Sequence, residues 1–110
     1  MANILILGAG AMGTAFSYPC SDKNHSVTVV GSHLEDDFID LINSKKKHPS
    51  LNCDVPKNVK FLKFDKLKTE MNKKIELIVI AVSSKGIEWA SNELSKVLGN
   101  NTSILVLTKG

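Results

Sequence analysis

The chain has 110 residues, 43% hydrophobic and 23% charged, with a net charge of +3 and two cysteines. That is the size of one domain with room for a real core, and the composition is ordinary for a globular protein. It speaks against a zinc or redox site, because Cys20 and Cys53 lack CxxC spacing; against nucleic acid, because Lys45-Lys46-Lys47 comes without an arginine or aromatic stripe and reads as a solvated loop; and against a bilayer crossing, because no apolar run nears the roughly 20 residues required.

Residues 4–7 read as a first strand that runs straight into Gly8-x-Gly10-x-x-Gly13. Between a strand and a helix the motif has a physical meaning. Gly8 turns the chain off the strand, Gly10 lets a pyrophosphate approach bare backbone, and Gly13 lets the new helix pack closely. The helix N-terminus then presents N–H groups and a positive dipole end to phosphates. Met12, Ala15 and Phe16 begin that helix, and Pro19 predicts a kink or an early end near residues 17–20. Residues 27–30 form a second strand. Leu34, Phe38, Leu41 and Ile42 recur at helical spacing, with Glu35, Asp36 and Asp37 in the first turn, where they suit the dipole. Residues 43–58 read as a long loop broken by Pro49 and Pro56.

Residues 59–64 are a weaker strand mixed with lysines, placed near an edge. Residues 65–72 suggest a short helix capped by Asp65. Residues 77–82 are a continuous branched apolar run, as in a strand covered on both faces. Ser83 or Ser84 can cap the next helix, whose buried face is Ile87, Ala90, Leu94, Val97 and Leu98, with Gly99 as its stop. Residues 104–107 read as a final buried strand.

The alternation predicts an α/β fold: a Rossmann-type doubly wound parallel sheet of order 3-2-1-4-5, with helices on both faces. Ligands of such sheets sit at the strands' carboxyl ends, where the order reverses. That gathers residues 8–13, 82–85 and 108–110 at one place. An acid about 20 residues past the glycines would bind ribose and favour NAD, whereas an Arg would take the extra phosphate of NADP. The chain has Gly31-Ser32-His33 there. Ser32 could bond a ribose hydroxyl or a phosphate, and His33 adds charge when protonated. Glu35 falls too far along, inside the next helix. The sequence leaves NAD or NADP open. Lys109, at the end of the last strand, can reach a phosphate or polarise a carbonyl.

These segments together resemble the N-terminal domain of NAD(P)-dependent glycerol-3-phosphate dehydrogenase over essentially the whole chain. The resemblance lies in Gly8-Ala-Gly-Ala-Met-Gly-Thr-Ala, His25-Ser-Val-Thr-Val-Val-Gly, His48-Pro-Ser-Leu, Val55-Pro-Lys-Asn-Val, Val79-Ile-Ala-Val-Ser-Ser and Leu105-Val-Leu-Thr-Lys-Gly. It implies a part in reducing dihydroxyacetone phosphate to sn-glycerol 3-phosphate. It implies cofactor contacts at Gly8, Gly10, Ala11, Met12, Gly13, Ser32, Ser83 and Lys109, with Lys109 also touching substrate. Ser32 stands where bacterial members often carry Arg or His, and Gly86 where some place an aromatic.

The family's catalytic lysine lies in a helical C-terminal domain, so residues 1–110 are expected to be a cofactor-binding fragment with no catalytic residue of its own. Its expected partner is that small-molecule substrate, with neither nucleic acid nor membrane. A homodimer is allowed by the apolar surface that a missing domain would leave. The N-terminus lacks a signal peptide's basic region, and isolated thiols fit a reducing compartment, so the expected location is cytoplasmic. Two other readings remain: a ketopantoate reductase, which shares the Gly-x-Gly-Ala-Met-Gly opening, and a stand-alone nucleotide-binding module without catalysis.

Overall fold

The computed structural model describes residues 3–9, 11–23, 25–32, 35–48, 53–54, 59–71, 75–82, 86–95 and 102–107. Five parallel strands form one sheet: β1 (Asn3–Leu7), β2 (Ser26–Val30), β5 (Val59–Leu62), β6 (Leu77–Ile80) and β7 (Ser103–Val106). Their spatial order is β5-β2-β1-β6-β7, the predicted 3-2-1-4-5 pattern. β1 lies at the centre, with Leu5 in register with Thr28 on one side and Ile78 on the other. Its apolar run follows from that position. Ile4 and Ile6 point to one face and Leu5 and Leu7 to the other, all at most 4% exposed, because side chains alternate across a pleated strand.

Two helices cover the first face. α1 (Ala11–Asp22) supplies Cys20 and Phe16, and α2 (Asp36–Lys45) supplies Ile39, Ile42 and Phe38. The second face takes a 3-10 turn (Phe64–Lys66), α3 (Leu67–Met71) and α4 (Ile87–Ser95), through Leu67, Ala90 and Leu94. Phe64 and Trp89 join the last two layers, with ring centroids 5.0 Å apart.

Of the kink or early end that Pro19 predicts, the early end does not occur: α1 continues to Asp22. Pro19 and Ala15, whose carbonyl loses the helical N–H, are both exposed, so water can serve that carbonyl. The buried side of α1 is small and hydroxylated: Thr14, Ser17 and Ser21 are at most 7% exposed. Ser17 Oγ donates to the Thr14 carbonyl at 2.5 Å and Thr14 Oγ1 to the Ala9 carbonyl at 3.3 Å, and no buried side-chain N or O atom among the described residues lacks a partner, so the helix can sit close to the sheet.

In α2 the buried stripe is Ile39 and Ile42, and Leu41 is 37% exposed. Ile39 and Ile42 lie one turn apart and set the helix phase, which turns Leu41 away from the sheet. The helix ends on Lys46 at φ 58°, whose N–H donates to the Ile42 carbonyl at 2.8 Å. Left-handed backbone favours glycine. Lys46→Gly is therefore expected to raise stability by about 0.5–1 kcal/mol in urea unfolding.

Three further expectations change. The 43–58 loop contains two short strands, β3 (Lys47–His48) and β4 (Cys53–Asp54), paired antiparallel; two residues are too few to show a period. Asp65 caps no helix. It lies inside the 3-10 turn, whose phase is set by packing Phe64 and Leu67 onto the second face. β7 is an edge strand and is not buried. Ile104, Leu105 and Val106 are 48%, 38% and 48% exposed, and none belongs to either buried cluster.

Candidate functional site

The carboxyl ends of the strands stay tied together past the last ladder residues. Gly8 N–H donates to Val30 O at 2.7 Å, Ala81 N–H to Leu7 O at 2.8 Å, Gly31 N–H to Leu62 O at 2.9 Å, and Leu107 N–H to Ile80 O at 2.8 Å. The ends of β1, β2 and β6 therefore share one hydrogen-bonded rim. The order reverses between β1 and β6: the helix after β1 covers one face and the helix after β6 the other. A ligand crevice of a doubly wound sheet opens at that reversal.

Gly8 sits at the reversal with φ +115°. A Cβ there would lie 2.5 Å from the Ala81 carbonyl oxygen and 3.2 Å from Val82 Cγ1. The sequence gives a reason for this glycine in the turn it makes; the structure adds a second in its close approach to β6. Ala11, Met12 and Gly13 open α1, which carries no acid in its first turn. Thr14 Oγ1 donates to the Ala9 carbonyl at 3.3 Å and braces the turn from inside. The N–H groups at the positive end of a helix form a donor set that fits a pyrophosphate.

Ser32 follows β2 at the same rim, half-buried. Gly10, Ser83 and Lys109 lie outside the described residues, as do His33, Ser84 and Thr108. Glu35, which the sequence reading set aside as inside the helix, precedes it instead. It holds the position before Asp36, at φ −114° and ψ 14°. Its side chain turns back to the rim: Oε1 accepts from Ser32 N–H at 2.7 Å and from Ala9 N–H at 3.2 Å. The Glu35 N–H in turn donates to the Ser32 carbonyl at 2.9 Å. The signal that could have found it is Ser32-x-x-Glu35, the spacing of a capping box, in which the acid reaches back three residues.

Cys20 is a free thiol, and its burial pushes its pKa up, which opposes thiolate chemistry. Among the described residues no cluster of three His, Cys, Asp or Glu could hold a metal ion, and no helix is long and apolar enough to cross a membrane.

A parallel sheet wound on both faces, with a glycine turn at its reversal, defines a Rossmann-type α/β domain. Residues 3–110 match the family model of the NAD-dependent glycerol-3-phosphate dehydrogenase N-terminus, and the chain belongs to that family. It is 28% identical over 110 residues to a glycerol-3-phosphate dehydrogenase [NAD(P)+] of Oceanobacillus iheyensis, covering 100% of this chain and 31% of that protein. It superposes on the crystal structure of glycerol-3-phosphate dehydrogenase from Coxiella burnetii with a TM-score of 0.86 and 25% identity, over 99% of this chain and 33% of the other. A ketopantoate reductase from Ralstonia eutropha shares the fold, with a TM-score of 0.74 and 19% identity over 98% of this chain and 34% of that one. The chain thus spans about a third of the length of the proteins it matches.

Proposed function

We propose that residues 1–110 are the cofactor-binding part of a cytoplasmic enzyme that reduces dihydroxyacetone phosphate to sn-glycerol 3-phosphate with NADH or NADPH. Family membership supports the reaction. The observation that carries the binding role is Gly8, left-handed and pressed against Ala81 at the sheet's reversal, where nothing larger fits.

When bound, the nicotinamide would supply a hydride to the ketone carbon. The chain's own part is to bind and orient. Gly8 and Gly10 clear a path for the pyrophosphate, and the backbone of Ala11, Met12 and Gly13 offers donors to it. Ser32 would serve the adenosine side, and Ser83, which follows β6 in the sequence, would add a further contact. Lys109, beyond β7, would hold a substrate phosphate or polarise the carbonyl. None of these residues is assigned as the general acid that protonates the carbonyl oxygen.

The test is a fluorescence titration of the 110-residue chain with NADH and NADPH, beside an assay with dihydroxyacetone phosphate. Binding of at least one cofactor without turnover is expected. No binding of either would remove the site, and turnover by the chain alone would overturn its assignment as only the cofactor-binding part.

A further inference from the structure

We infer that Glu35 is a specificity-determining residue: its carboxylate, held between the glycine turn and the β2–α2 turn, makes this chain select NAD(H) over NADP(H). The inference rests on the dinucleotide reading above and deepens it. Glu35 Oε1 accepts the backbone N–H of Ala9, directly after Gly8, and of Ser32, at the end of β2. Those two turns bracket the place where the adenosine ribose of a dinucleotide lies in a doubly wound sheet. The acid is partly exposed, so a ligand can reach it.

Two physical effects then act in the same direction. A carboxylate accepts hydrogen bonds from a ribose diol, and both bonds just named end on Oε1, so Oε2 brings further acceptor capacity. The same negative charge repels a 2′-phosphate placed there. The backbone N–H of Ser32, the kind of donor an anion would use, is already directed at Glu35. All 14 Lys and Arg side chains are lysines and none occupies positions 24 to 44, where the basic side chains are His25 and His33. No guanidinium is therefore at hand to neutralise an extra phosphate on this turn, in the way NADP-selective sites do.

The Glu35 carboxylate also ties the Ser32–Glu35 turn to the glycine turn, and the experiment separates the two roles. Glu35→Gln keeps an acceptor at the same reach, since glutamine serves a capping box as well, but removes the charge. Dissociation constants for NADH and NADPH are measured on the 110-residue chain and on E35Q, at low and at physiological salt. The wild-type chain is expected to bind NADH at least about tenfold more tightly than NADPH. In E35Q that ratio should fall at least about fivefold, chiefly through tighter NADPH binding, with a weaker preference at higher salt.

Equal affinities in the wild-type chain, or an unchanged ratio in E35Q, would overturn the role of Glu35 while binding itself upheld the dinucleotide site. If neither cofactor bound the wild-type chain, the dinucleotide reading itself would fall, and this inference with it. Should circular dichroism show E35Q unfolded, the wild-type ratio alone decides.

Discussion

Gly8→Ala should destabilise the chain by about 3 kcal/mol or more, a large part of the roughly 5–15 kcal/mol typical of a domain. Two costs add. At φ +115° an alanine is held in backbone territory that L side chains rarely adopt, worth roughly 1–3 kcal/mol. Its methyl would also lie 2.5 Å from the Ala81 carbonyl oxygen. That carbonyl has little room to retreat, because its own residue's N–H is tied to Leu7 O at 2.8 Å; relieving the overlap means moving β6 against β1, for a further ~1–3 kcal/mol. Gly31→Ala is the internal control. Its Cβ would meet Ile39 Cγ1 at 2.8 Å, on a side chain only 1% exposed, so that side chain must shift at about 1–2 kcal/mol, but no left-handed backbone adds to the cost. Urea unfolding of both variants measures the difference. A Gly8→Ala loss no larger than that of Gly31→Ala would contradict the close approach of β1 to β6. Cofactor affinity should fall in Gly8→Ala as well, because the displaced backbone is the proposed binding surface.

The architecture was legible because it rests on local signals. Residues 4–7 and 77–80 are apolar at every position, which only a strand covered on both faces needs, and the glycine spacing marks where the first turn lies. Burial was less legible. Ile104, Leu105 and Val106 have the composition of a core strand yet lie exposed at the sheet edge, since apolarity says what a residue favours and not whether a neighbour is present. Leu41 failed in the same way, as helix phase is settled by packing. Pro19 did not end its helix, because the carbonyl it deprives lies where water can reach it. At the site, Gly8, Ala11, Met12, Gly13 and Ser32 fall on the predicted rim, whereas Gly10, Ser83 and Lys109 lie outside the described residues. Glu35 was passed over because counting along the chain placed it in the helix. A side chain that folds back by three residues defeats a count.

Leu7→Ala is expected to separate the strength of the fold from the quality of the site. Leu7 is fully buried and packs in the cluster of Leu5, Val30, Ile78 and Ile80. It is in register with Val30 and Ile80 on its two flanks, so neighbouring strands hold the cavity walls apart and limit collapse. A loss of about 3 kcal/mol follows, within the 2–5 kcal/mol range for such truncations, and it should appear as a lower urea midpoint with an unchanged slope. Leu41→Ala, at a position already 37% exposed, should cost less than about 1 kcal/mol. Yet the rim next to Leu7 is held by backbone bonds, Gly8 N–H to Val30 O and Ala81 N–H to Leu7 O, and alanine can make both. A chain that keeps a few kcal/mol of stability is still almost wholly folded, so the dissociation constant for NADH should change by less than about twofold. Gly8→Ala and Leu7→Ala would then lose similar stability while only the first loses the cofactor. If Leu7→Ala weakened binding as much as Gly8→Ala, the site would depend on core packing behind the rim, and the backbone geometry of the glycine turn would not be what recognises the ligand.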